Sequence, residues 1–112
     1  GERAQVKLAT LDATTNATTE LIPAIATKRV IILALLLSPG ATATSVTFKS
    51  ASTAISPVIT LAVNTPLHLP LTGGGWIRQT NVNEAINVTL SNGSAVGIIA
   101  HFIELPIDVD LP

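Results

Sequence analysis

Short stretches in which apolar and polar residues alternate constrain the fold of this chain more than any other sequence feature. In residues 44–49, Val46 and Phe48 share one parity and polar residues occupy the other, and residues 85–90 repeat the pattern. Because successive side chains of a β-strand point to opposite faces, such alternation predicts strands with one buried and one exposed face. Their recurrence about every 8–12 residues predicts an all-β domain.

One apolar run does not alternate. Residues 30–37 read VIILALLL, follow Lys28 and Arg29, and end before Ser38-Pro39-Gly40. These eight apolar residues fall short of the ~20 that a membrane-spanning helix needs, and the run begins too late for a signal peptide. Although its leucines suit a helix, the leading β-branched residues and the following Pro-Gly favour a strand buried on both faces.

The remaining patterns complete the predicted architecture. Pro70 cannot donate a ladder hydrogen bond, so the strand around it is expected to lie at a sheet edge or to break there. Residues 91–94 (Ser-Asn-Gly-Ser) contain the strongest turn signal and predict a hairpin into the last long strand. We therefore predict a β-sandwich or jelly roll of about eight antiparallel strands. The further strands are expected at residues 6–11, 57–63, 67–71, 76–79 and 96–105.

Both ends of the chain differ from the middle. We expect residues 1–20 to be an N-terminal arm, residues 21–105 the sandwich domain, and residues 106–112 a C-terminal tail. Apolar alternation in a free tail is a liability, so we interpret the ends as arms that add to a neighbour's sheet edge; disordered termini are the alternative. The arm residues expected to bind a partner are Val6, Leu8, Leu11, Ile107, Val109 and Leu111.

The scarcity of charge limits the classes of partner. The 112 residues include only 12% charged side chains, with a net charge of −1, although 47% are hydrophobic. Designed soluble surfaces usually carry more charge, at about 25–35% of their residues. A net charge so close to zero argues against nucleic acid and against an acidic membrane surface as the main partner. We infer that other protein subunits cover part of the surface and that the chain is a component of an assembly.

Motifs for catalysis or metal binding are missing from the sequence. There is no cysteine, and the two histidines, His68 and His101, each stand alone among aliphatic residues. We interpret them as strand residues that face solvent or a sheet rim, because a metal site needs several converging ligands. No nucleophile elbow occurs, and residues 73–75 (Gly-Gly-Gly) lack the Lys-Ser/Thr of a phosphate loop. The glutamates are scattered, and Asp108 and Asp110 share a strand face only if the C-terminal tail is extended. We predict no enzyme activity and no cofactor.

Trp76 and Arg78 are further candidates for partner binding. The chain has one tryptophan and no tyrosine. We interpret Trp76 as a core or subunit-interface residue. The alternative is a sugar-stacking platform with Arg78 as a hydrogen-bond donor, although such sites usually present several aromatic residues.

Several segments resemble a known family. Over about residues 20–105, the chain is similar to small β-sandwich virion proteins of tailed bacteriophages, of the capsid decoration or cement type. The resemblance is one of strands and turns, with no catalytic motif. It is carried by residues 19–24 (TELIPA), 28–35 (KRVIILAL), 44–50 (TSVTFKS), 55–57 (ISP), 75–76 (GW), 84–88 (EAINV) and 96–105 (VGIIAHFIEL).

The resemblance implies a role in the virion. It implies a homo-oligomer, with a trimer favoured, that sits on the capsid surface and clamps neighbouring copies of the major capsid protein. It also implies assembly in the cytoplasm of the host bacterium. The alternative function is a module of a tail or head fibre that recognises a host-surface glycan.

Overall fold

The computed structural model of the protein describes residues 5–14, 18–72, 75–92 and 95–106. These residues form ten strands, and the described part of the chain contains no helix long and apolar enough to cross a membrane. The strands are β1 (Lys7–Ala13), β2 (Thr19–Ile22), β3 (Lys28–Pro39), β4 (Thr44–Ser50), β5 (Thr53–Ala54), β6 (Ile59–Leu61), β7 (Leu67–Leu69), β8 (Ile77–Arg78), β9 (Ile86–Leu90) and β10 (Val96–Pro106).

Two antiparallel sheets pack against each other, which confirms the predicted β-sandwich. The first sheet has the order β1-β10-β3, with β7 and β8 both pairing with the far edge of β3. The second has the order β2-β9-β4, with β5 and β6 both pairing with the far edge of β4. Most connections cross from one sheet to the other, an arrangement compatible with the predicted jelly roll.

The apolar run predicted to be a strand is the centre of the first sheet. β3 pairs with β10 from Val96 opposite Pro39 to Pro106 opposite Lys28. The register shifts between His101 and Phe102, whose partners are Ala34 and Ile32, so Leu33 is the extra residue of a β-bulge. Because a bulge inserts one residue, it reverses the parity of the buried positions along β3. Val30 and Ile32 face the core before the bulge, and Leu35 and Leu37 face it afterwards.

The core between the sheets follows the alternation that the sequence shows. β4 alternates strictly between buried and half-buried residues, as does β9. Val46 and Phe48 are both fully buried at 0% exposure. They pack with the inward residues of the first sheet in one apolar cluster, and this burial supplies the main stabilisation of the sandwich.

The predicted hairpin between β9 and β10 is wrong. β9 pairs with β2 and β4 in the second sheet, whereas β10 pairs with β1 and β3 in the first. Ser91 and Asn92 begin the connection between sheets: Ser91 Oγ accepts a hydrogen bond from the Ser45 backbone N–H at 2.9 Å. The Asn92 side chain donates to the Ala43 carbonyl at 2.9 Å. The sequence signals a turn here, but turn chemistry does not fix which strands pair.

Part of the expected N-terminal arm belongs to the domain. β1 pairs with β10 of the same chain along all seven residues, and Ala13 at its end is only 1% exposed. β2 likewise joins the second sheet through β9. The alternating pattern predicts a strand at the edge of a sheet. It does not distinguish a strand that pairs within its own chain from one that pairs with a neighbouring subunit. The expected strand at 57–63 shortens to Ile59–Leu61, and β7 is an edge strand that ends before Pro70, as predicted.

A buried glutamine joins the two sheets at one side of the sandwich. Gln79 is 2% exposed, and its side-chain oxygen accepts a hydrogen bond from the Val30 backbone N–H at 2.9 Å. Its amide nitrogen donates to Ser50 Oγ at 2.9 Å and to the Glu84 carbonyl at 2.6 Å. Ser50 Oγ donates in turn to the Glu84 carboxylate at 2.6 Å. Val30 lies in the first sheet and Ser50 in the second, so this network fixes their relative position.

We expect Gln79→Ala to lower the free energy of unfolding by about 3 kcal/mol, because it leaves a buried N–H of Val30 without an acceptor and opens a cavity. Urea unfolding followed by circular dichroism measures the change. Gln5→Ala is the matched control, since Gln5 is exposed, and should alter stability by less than about 0.5 kcal/mol. Equal effects of the two substitutions would contradict the bridging role.

Candidate functional site

The outer faces of the two sheets differ in character. On the second sheet the outward residues are polar, as expected for a solvated sheet face. On the first sheet, the outward residues of the two central strands are mainly apolar. The polar set on the second sheet consists of Ser45, Thr47, Lys49, Thr60, Asn87 and Thr89.

The part of the first sheet's outer face that the rest of the chain leaves uncovered is called the open face. The strand registers align ten residues there in three rows, because directly opposite residues of antiparallel strands share a face. Leu8 is 59% exposed and Ile99 38% exposed. The rows are Asp12, Gly97 and Ser38; Thr10, Ile99, Leu36 and His68; and Leu8, His101 and Ala34.

The other half of this outer face is already covered. Ile31, Leu33, Ile103 and Leu105 form a second buried cluster, separate from the main core, with exposures of 1–7%. Gly75 lies against this cluster with a positive φ of 80°, and a Cβ there would collide with the Ile31 side chain. Only glycine permits so close an approach in this backbone conformation. The chain therefore covers one half of the outer face itself and leaves the open face accessible.

Trp76 lies beside β3 and is not a core residue. The residue is 45% exposed, and the indole ring N–H donates to the Pro70 carbonyl at 2.7 Å. Its backbone N–H donates to the Ile32 carbonyl at 2.7 Å. The ring is therefore held in place with part of its surface accessible. Arg78 is exposed two residues later in β8 and lines a polar recess with Glu84 and Thr53.

The other residues predicted to bind a partner separate into three groups. Leu8 lies on the open face, and Val6 is 49% exposed just before β1. Leu11 points the other way and packs, half-buried, against the main core, so its prediction as an arm residue is corrected. Leu8 and Leu11 are three residues apart in β1, so their side chains point to opposite faces of the sheet. Ile107, Val109 and Leu111 lie outside the described residues.

Both histidines are exposed strand residues, as predicted. His68 lies opposite Leu36 and His101 lies opposite Ala34, so both belong to the open face. Among the described residues, no three histidine, aspartate or glutamate side chains come together as a metal site.

Sequence reasoning missed most of the open face. The patterns place Leu36 and Ile99 in buried strands, and they do not single out Asp12, Ser38 or Gly97. The signal that is present is the non-alternating run at residues 30–37, since a strand that is apolar on both parities must cover both of its faces. It indicates a second covered face, but the sequence does not show whether the chain itself covers it.

No protein-family model matches this sequence, and no significant match is found among curated proteins.

Ile98 and Ile99 test the assignment of the two faces, because they are adjacent and identical in chemistry. Ile98 is 1% exposed in the core and Ile99 is 38% exposed on the open face. We expect Ile98→Ala to cost about 3 kcal/mol of stability and Ile99→Ala about 1 kcal/mol or less. Chemical unfolding of both variants measures the difference. The reverse order would show that the parity of β10 has been assigned to the wrong faces.

Proposed function

We propose that this chain is a non-enzymatic structural protein of a bacteriophage virion, a capsid decoration protein that binds and stabilises the assembled shell. The observation that carries the proposal is the open face. The second sheet's outer face is polar, whereas the open face leaves the apolar side chains of Leu8, Leu36 and Ile99 accessible among polar residues. An accessible apolar surface of this kind is suited to lie against another protein.

The edge of the first sheet supports the same proposal. β1 pairs with β10 on one side, and its other edge has no strand partner among the described residues. An open edge next to an apolar face allows a partner to make main-chain hydrogen bonds and apolar contacts together. Val6, just before β1, belongs to the proposed N-terminal arm, whereas residues 107–112 of the proposed C-terminal arm lie outside the described residues. Such contacts would link each subunit to several neighbours, including the other copies of a trimer and the major capsid protein.

The fold is compatible with this role, but the fold alone does not distinguish it from other roles. Jelly-roll sandwiches serve in viral capsids and in lectins. The scarcity of charge favours the assembly role, because a surface with few charges loses little hydration when other protein subunits cover it.

Shells assembled from the major capsid protein of the same virus test the proposal. The purified full chain should co-sediment with them saturably and raise the temperature at which they dissociate, because bound subunits stabilise the assembled state. Ile99→Lys should weaken this binding about tenfold or more, since it places a charge in the apolar interface.

Thr60→Lys is the matched control, since it adds the same charge to the outer face of the second sheet. It should bind like the unmodified chain. A chain that does not bind shells overturns the proposed function, and equal binding by the two lysine variants overturns the assignment of the open face to it.

Trp76 favours a second candidate, the glycan-binding module of a tail or head fibre. The indole ring is held by the Pro70 carbonyl, the residue is 45% exposed, and a fixed aromatic face can stack on a sugar ring. Arg78 is nearby in sequence and exposed. Only this one aromatic side chain is exposed in the described part of the chain, so the assembly role is preferred.

A glycan array distinguishes the two functions. If the chain is a decoration protein, we expect no glycan signal, and Trp76→Ala should leave shell binding within about twofold. A signal that Trp76→Ala abolishes and Phe48→Leu retains would favour the fibre module. The Phe48 variant controls for general loss of stability, because Phe48 is buried in the core.

A further inference from the structure

A groove crosses the open face at Gly97. The space is about 450 Å³ and is bordered by Thr10, Asp12, Leu36, Ser38 and Ile99. Gly97 provides the floor because it has no side chain. A Cβ at this position would lie 3.6 Å from Asp12 Oδ1 and 3.8 Å from Ser38 Cβ. The missing side chain therefore leaves a notch between a carboxylate and a hydroxyl group.

The glycine is not required by the backbone at this position. Gly97 does not have a positive φ, and an added methyl group would meet its neighbours at ordinary van der Waals distances. Any small residue would fit the fold. The effect of glycine here is to keep the groove open, in contrast to Gly75, where close packing excludes a side chain.

The two ends of the groove differ in chemistry. At one end, Asp12 is exposed and makes no hydrogen bond or ion pair with any described residue. It is also the only Asp, Glu, Lys or Arg on the open face. At the other end, Leu36 and Ile99 lie side by side in neighbouring strands. A ligand that matches both ends has a cation at the tip of an aliphatic chain, which describes a lysine or arginine side chain.

We propose that this groove binds a lysine or arginine side chain of the protein on which the chain docks. The cationic group pairs with the Asp12 carboxylate and donates to Ser38 Oγ, while the aliphatic stem lies over Leu36 and Ile99. This inference rests on the proposed function, since it names the partner chemistry that the open face recognises.

The size of the open face favours such a partner over a second copy stacked face to face. Four strands span about 15 Å and three rows span about 14 Å, which gives a few hundred Å². A stable interface usually buries about 800 Å² on each partner. One extended segment with a basic side chain fits this surface, and the remaining contacts of the docked protein would come from the β1 edge.

A random peptide library displayed on phage and selected on the immobilised full chain provides the probe. Selected peptides should contain Lys or Arg with an apolar residue two positions away, the spacing of one strand face. Titration of a selected peptide should show about fivefold weaker binding to Asp12→Asn, which removes the charge. Gly97→Val should weaken binding about tenfold or more, because the side chain fills the groove.

Two matched variants control for nonspecific effects. Glu20→Gln removes a carboxylate from an exposed position of β2, and Gly40→Ala adds a methyl group at another glycine where a Cβ makes only ordinary contact, 3.6 Å from the Ala95 carbonyl. Both should bind the peptide within about twofold of the unmodified chain. Circular dichroism of all four variants checks that each is folded.

The outcomes separate this inference from the proposed function. Selected peptides without a basic residue, failure to select any peptide, or equal binding by Asp12→Asn would overturn the groove assignment. Sedimentation that shows self-association lost in Asp12→Asn would also overturn it and identify a second copy as the occupant. If the groove binds basic peptides but the chain does not bind shells, the proposed function fails and the groove assignment stands.

Discussion

The antiparallel ladder between β3 and β10 is the interaction on which the rest of the structure depends. These are the two longest strands, and both lie in the centre of the first sheet. The inward side chains of the ladder form half of the main core. Its outward side chains form both the covered cluster around Ile31 and the open face around Ile99. A change in this register would therefore alter the core and the candidate docking surface together.

The bulge at Leu33 allows one apolar strand to serve both faces. Without the extra residue, the alternation of β3 would place Leu35 and Leu37 on the same side as Ile31, outside the main core. With it, the inward set continues along the strand, and Ala34 and Leu36 take the outward positions. Because Ala34 is small and Gly97 has no side chain, little projects from the open face at these two positions. Another protein can therefore approach the strands closely there.

Sequence patterns predicted much of the fold because burial imposes a regular alternation on strands. The positions of β4, β9 and β10 follow from residue types alone, since their core residues recur about every second residue, and the position of β3 follows from its continuous apolar run. Which strands pair with each other was harder to predict from the sequence. The turn at Ser91 predicted a hairpin, but a turn constrains only its own backbone, and both flanking strands face one core from opposite sheets. Of the candidate site, the sequence indicated Leu8 but not Ile99, Leu36 or Asp12.

The sequence by itself determined that this chain folds as an all-β domain with few charges, because local alternation and composition are properties of short segments. The tertiary structure decided which apolar residues stay accessible. Leu33 and Leu36 are alike in sequence, yet the loop at Gly75 covers one and leaves the other on the open face. Accessibility depends on contacts between distant segments, so it emerges only when the register and the packing of the two sheets are fixed.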